Sequence, residues 1–381
     1  MHSLHKQYLS FFFFLLLGFC TNAQPISPLS ISVTNESSIA FVDHVIEIPW
    51  ASIIAKNSAV PNDEFRLIDG STNQELPYQI EYKGNKMPHR LLVQLSIAAR
   101  ATKKIRLEKG RHIPFVTKTF CRYVPERKDD FAWENDRIAF RVYGKALEGT
   151  KENANGIDVW VKRTDKMVIN DRYQRGEYHV DHGDGMDYYH VGLTLGAGNI
   201  APIVNDSIYY PANYRKWEVL DNGPLRSTFR LTYDDWDVAG KKVSMTKTIS
   251  LDAGMQLSRV EVAYNYAATD SLPVVVGIIR RKEAGAVMFE QTKGYMGYWE
   301  PSHLQNGTTG VGCIFLQPIG DIKITTAHFL ASLKTSSQSP IVYYTGAAWD
   351  KAKIITSASA WFDYLNTVQK QLQNPLKIAV L

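Results

Sequence analysis

Apolar and polar positions alternate along much of the chain in short runs broken by Gly, Asn, Asp and Pro. Runs at 40–48, 90–97, 138–143, 157–162, 225–233, 242–251, 257–266, 274–279, 310–316, 322–327 and 341–345 read as strands. In 226–233, β-branched and aromatic residues mix with polar ones, the pattern of a half-buried strand. In 242–251 the first half is clearer, with Val243 and Met245 apolar at odd positions. The lengths and punctuation predict a mainly β protein built as an antiparallel sandwich. One segment has another period. In 357–373, Trp361, Tyr364, Leu365, Val368 and Leu372 form one stripe at helical spacing, so a C-terminal helix should pack on the sandwich.

The start of the chain follows neither pattern. Lys6 precedes an apolar run over 9–19, and Thr21, Asn22 and Ala23 stand before Gln24. That order is a charged region, an apolar region and a small-residue cleavage site, so 1–23 read as a signal peptide. The run falls short of the roughly 20 residues a bilayer anchor needs. Phe19 is bulky where a lipid-attachment site at Cys20 would want a small residue. A periplasmic location follows, with no membrane contact after cleavage. Of 381 residues, 381 less 23 leaves 358, read as one large β-sandwich catalytic domain over 24–381.

Composition narrows the classes. Hydrophobic residues make up 45% of the chain, ample for a core, and the net charge of +5 comes without a basic block. Nucleic acid is therefore not an expected partner, although a local cationic pocket for an acidic ligand fits. Cys121 and Cys313 remain after cleavage, and sequence leaves open whether they pair. No GxSxG, phosphate-binding loop or dinucleotide fingerprint occurs.

The stretch 148–215 is rich in Gly, Asn, Asp, His and Tyr, and long irregular segments of that kind usually serve function. Its densest part, 177–190, holds His179, His182, His190, Asp181, Asp184, Asp187, Glu177, Tyr178, Tyr188 and Tyr189. Three readings stay open. Imidazole can give and take protons near neutrality, with Asp fixing its tautomer. Asp184, Asp187 and His190 could hold a divalent metal, although the spacing fits no known loop. Asp and Gly could simply build turns. A second group, 122–137, offers Arg127 and Lys128 to a carboxylate and Trp133 to a sugar face. Composition alone favours a charged loop over one buried Trp. Trp160 with Arg163, and His89 with Arg90, are further binding candidates through a stacking ring and planar guanidinium forks.

Several segments resemble a family of exported bacterial proteins found among polysaccharide-degrading enzymes, long filed as a domain of unknown function. They are Tyr123-Val-Pro-Glu-Arg-Lys-Asp-Asp-Phe-Ala-Trp-Glu-Asn-Asp-Arg-Ile-Ala-Phe-Arg-Val-Tyr143, Gly156-Ile-Asp-Val-Trp160 and His179-Val-Asp-His-Gly-Asp-Gly-Met-Asp187. Val191-Gly-Leu-Thr-Leu-Gly-Ala-Gly198, Leu220-Asp-Asn-Gly-Pro-Leu-Arg226 and Tyr343-Tyr-Thr-Gly-Ala-Ala-Trp349 match as well. The resemblance implies a galactose-mutarotase-type supersandwich and an activity like that of the ulvan oligosaccharide dehydratases. Such an enzyme eliminates water from a non-reducing-end uronate and leaves a 4,5-unsaturated sugar. On that basis His179 or His182 would be base or acid, with Tyr188 or Tyr189 as partner. Asp181 and Asp184 would orient the histidines, and Arg127 or Arg163 would meet the carboxylate. The resemblance fixes no cofactor, and a divalent metal stays open. The alternatives are a glycoside hydrolase or epimerase on the same fold, and a glycan-binding protein without catalysis.

Overall fold

The computed structural model describes residues 29–58, 60, 64–267, 271–335 and 339–381. The expected signal peptide at 1–23 lies outside the described residues. The fold is mainly β, with antiparallel sheets and one long helix near the C-terminus. The largest sheet has eight strands, in the order Lys216–Asn222, Arg226–Val238, Lys241–Asp252, Leu257–Tyr266, Ile341–Trp349, Thr309–Phe315, Tyr295–Trp299 and Ala286–Glu290. Period-two alternation in Lys241–Asp252 sends Val243, Met245, Ile249 and Leu251 inward. They meet Val274 and Val276 of a second, five-stranded sheet built on Ala197–Val204, Leu272–Ile279 and His328–Thr335. A further five-stranded sheet joins the same core through Phe131, Trp133 and Phe140.

That last sheet carries the candidate site. Its order is Gly185–Asp187, Asp158–Lys162, Ala139–Val142, Asp130–Asn135 and Thr119–Val124. One face lies on the main core. Residues 163–184, including the short helix Ile169–Arg175, fold over the other face around Ala132, Ala139, Trp160 and Tyr173.

The described strands of 29–109, together with Lys377–Val380, form two smaller sheets with an apolar cluster of their own. The helix Ala358–Gln373 starts at Ser357, whose side chain accepts a hydrogen bond from the Ala360 amide. Its buried stripe is Trp361, Leu365 and Val368, the face read from periodicity. The strand expected over 322–327 is shorter, Ile322–Ile324, because Thr325 turns the chain by bonding back to His328. Cys121 and Cys313 are separate buried thiols.

Candidate active site

Strand register sets the centre of the site. Arg141 stands opposite Asp158 on one neighbouring strand and opposite Ala132 on the other. Its strand is buried throughout, with Phe140 and Val142 in the core, so Arg141 projects from the covered face. There Nε donates to Asp158 at 2.6 Å, Nη2 to Asp187 at 2.7 Å and Nη1 to Asp130 at 3.4 Å. The guanidinium also lies 5.1–5.4 Å from the ring centres of Tyr143, Trp160 and Tyr178. Arg127 reaches Asp130 at 3.3 Å and the Tyr178 hydroxyl at 3.3 Å. Three carboxylates thus share two guanidiniums. Burial raises Asp130 to about 6, against the pull of both arginines. Burial and the neighbouring Asp158 push Asp187 well above the ordinary carboxylate range.

A cleft of about 360 Å³ opens over this cluster. Arg127, Arg141, Lys151, His179, Tyr188 and His190 are among its lining residues. The chain at 178–179 is pinned along the strand Gly185–Asp187: the Asp187 amide donates to the Tyr178 carbonyl at 2.8 Å. His179 Nδ1 lies 2.8 Å from the Asp187 carbonyl oxygen. A carbonyl only accepts, so Nδ1 carries the proton, and in the tautomer that can act as a base the lone pair is on Nε2. The Tyr188 hydroxyl shares a 2.6 Å hydrogen bond with Thr309 Oγ1, and burial pushes its ionisation up, so it stays a proton donor.

Other expected residues are placed elsewhere. Trp133 is sealed in the core with its Nε1 donating to Ser258 at 3.0 Å, so it offers no sugar platform. Trp160 is equally buried, packed under Arg141 against Tyr173 and Tyr178. His89 and Arg90 belong to the N-terminal sheets, beside Glu81 and Glu47. Arg163 is held by Asp181 at 2.6 Å, outside the cleft. Asp181 also accepts from the amides of Gly183 and Gly185, which builds the turn. Gly185 has φ +102, and a Cβ there would come within 2.1 Å of the Val161 carbonyl, so only glycine fits. Asp184 faces Arg175 and Arg172. Neither aspartate orients the histidines: His179 is set by Asp187, while exposed His182 faces Glu177 at 3.5 Å.

Tyr189 borders the cleft, but its buried hydroxyl has no hydrogen-bond partner among the described residues and Arg281 lies 4.6 Å over its ring. Among the described residues no three His, Cys, Asp or Glu side chains converge as a metal site. Asp184, Asp187 and His190 therefore do not form one, since the first two are engaged by arginines.

Sequence reasoning missed Arg141, Asp158, Asp130 and Lys151. A usable signal existed for two of them. Arg141 interrupts the apolar run 138–143, and Asp158 interrupts 157–161. A lone charge in a strand buried on both faces needs a partner.

The sequence model of a family described as a domain of unknown function (DUF4861) matches residues 33–378. "Uncharacterized protein P7" of Formosa agariphila is 29% identical over 375 residues, covering 92% of this chain and 93% of its own length. Two solved structures from Enterococcus faecalis share the fold at 10% identity: a glycosyl hydrolase family 38 protein (TM-score 0.52) and an α-mannosidase (TM-score 0.51). Each likeness covers 93% of this chain but 47% and 46% of those proteins, so the chain spans about half their length.

Proposed function

We propose that this chain, which belongs to the DUF4861 family, is an exported carbohydrate-active enzyme that eliminates water from an acidic sugar at the end of an oligosaccharide. The glycosidase folds of the structural neighbours support a role on carbohydrate. One observation carries the chemistry. His179, its Nδ1 fixed by the Asp187 carbonyl, lines a cleft that also holds Arg127, Lys151 and Tyr188, whose hydroxyl is kept protonated by burial.

The steps follow from these groups. The uronate carboxylate meets Arg127 and Lys151, whose charge stabilises the negative charge that develops as C5 loses its proton. His179 Nε2 takes that proton. The C5–H electron pair becomes the C4=C5 bond, and the C4–O4 bond breaks. Tyr188 gives its proton to O4, which leaves as water, and solvent then carries the proton from His179 back to Tyr188. Arg141 positions His179 indirectly, by fixing Asp187, whose carbonyl sets the imidazole tautomer.

The hydrolytic alternative needs two carboxylates facing each other across the scissile bond. Asp130, Asp158 and Asp187 instead all turn toward Arg141. Incubation with uronate-ended oligosaccharides tests the reading. The expected result is loss of one water by mass spectrometry together with ultraviolet absorbance from the new conjugated double bond. His179→Ala should lower the rate at least about a hundredfold while the protein stays folded. Full activity in that variant, or a cleaved glycosidic bond without unsaturation, would sink the proposal.

A further inference from the structure

A second cleft lies where the N-terminal sheets meet the outer face of the eight-stranded sheet, and it shares no lining residue with the first. Register builds its floor. Ser250 pairs with Arg259, and Arg259 with Tyr344, so three side chains from adjacent strands stand in one row. Their neighbours Ile249, Val260 and Tyr343 point the other way, into the core. At the back, Arg226 donates to both oxygens of Asp252, at 2.5 and 2.8 Å, to Glu47 at 2.7 Å and to Glu81 at 3.2 Å. Glu47 also pairs with Arg90 at 2.5 Å. The carboxylates of the cleft are thus committed to other cations.

Lys83 is the exception. The amides of Tyr82 and Lys83 both donate to the Asp221 carboxylate, each at 2.7 Å. The clamp holds Lys83 at φ +51, a left-handed conformation that costs a non-glycine residue energy and tends to persist where function needs it. Its side chain lines the cleft beside Arg90 and Arg259. Among the described residues no carboxylate forms an ion pair with its ammonium, and burial and Arg90 push its ionisation down. The cleft has a volume of about 320 Å³. It runs into a second space of about 280 Å³ through Glu47, Arg226, Asp252, Met255 and Tyr344. There Phe41, Leu372 and Leu376 add apolar wall.

We propose that this seam is a second glycan site for a sugar bearing an oxyanion, either a carboxylate or a sulfate ester. The anion sits between Lys83 and Arg259, and the sugar ring lies against Tyr344. Arg259 pairs with Glu261 through Nη1 at 3.0 Å; its remaining guanidinium donors and the Lys83 ammonium suit an oxyanion, and an aromatic ring with an adjacent hydroxyl suits the rest of the sugar. The site does not depend on elimination in the first cleft: a protein inactive on every uronide would still hold the sugar here.

Isothermal titration of the full chain with glucuronate, glucose sulfate, glucose and inorganic sulfate tests this. Glucuronate or glucose sulfate should bind. Lys83→Asn, which tolerates the left-handed turn, and Arg259→Ala should each weaken that binding about tenfold, the loss of one charge-assisted contact. Because glucuronate also fits the first cleft through Arg127, each titration is repeated in the Arg127→Ala background, and the binding that remains there should show the same loss with Lys83→Asn or Arg259→Ala. The two variants lie in different elements, and thermal melting of each checks that it is folded. Unchanged affinity in both folded variants overturns the proposal, and so does the absence of any binding. Inorganic sulfate that binds as tightly as glucose sulfate also overturns it, because the seam is then an ion site without sugar recognition.

Discussion

Among the basic residues sealed inside this protein, two show opposite consequences. Arg141 is met by three carboxylates. Lys247 meets none among the described residues: it occupies an inward position of its strand, donates to the Asn199 side chain and lies 5.2 Å over the Tyr233 ring. Burial lowers its ionisation from 10.5 to about 7. Between those two values the unfolded chain binds more protons at this residue than the folded one, so stability rises with pH across that window. Lys247→Met should therefore stabilise the fold near neutral pH by roughly 1–3 kcal/mol and flatten the rise above about pH 7. Asn199 Oδ1 would keep the Ile200 amide as a partner. Urea denaturation of both proteins at several pH values measures the difference, and a destabilised variant at neutral pH would refute the argument. The same contrast explains what could be read of the active site. Clustering in 177–190 pointed to His179, Asp187, Tyr188 and His190, which do border the cleft. It could not distinguish them from Asp181 and Asp184, which hold the turn, because the difference lies in which backbone amides and arginines stand nearby. Arg141 and Asp158 come from strands whose partnership is set by register, and register is not local information.

The elements most legible from sequence are those with a clear boundary. The strands Arg90–Ile97 and Leu257–Tyr266 have the bounds that alternation gives, and the C-terminal helix begins after the capping Ser357. Residues 226–238 run well beyond the expected strand, because a bulge between Tyr233 and Trp236 lets pairing continue past the break in alternation. How the helix seats was not legible. Gly297, Gly310 and Gly312 leave a shallow bed on the sheet, and Trp361 and Leu365 settle into it. A Cβ on Gly312 would lie 2.6 Å from one Leu365 methyl and 2.7 Å from the other. Gly312→Ala should cost about 1–3 kcal/mol by forcing the helix off the sheet. Trp361 Nε1, which donates to the Val311 carbonyl at 3.1 Å, would lose that geometry. The predicted signature is a lower melting temperature with a shifted Trp fluorescence maximum. An unchanged melting temperature would mean that the helix repacks freely.

At the scale of the whole molecule, the two ends of the described chain lie side by side. The strand Lys377–Val380 pairs with Leu29–Thr34, so that Ile31 stands opposite Val380 and Val33 opposite Ile378. The helix therefore leads straight from the sandwich into the N-terminal sheets. Pro375, Leu376 and Ile378 also wall the space beneath it. Removing 375–381 leaves Leu29–Thr34 bonded on one side only, to Thr102–Lys109, and strips Leu376, Ile378 and Val380 from the N-terminal core. Each lost apolar side chain removes up to about 1.5–3 kcal/mol if fully buried, and less here because these are only partly covered. The sandwich core shares none of these residues. The expected outcome is local: faster amide hydrogen exchange across Leu29–Thr34, with protection kept in Lys241–Asp252 and Leu257–Tyr266. If protection instead falls in all of these strands together, the N-terminal sheets and the sandwich unfold as one cooperative unit, the behaviour expected of the single domain read from sequence.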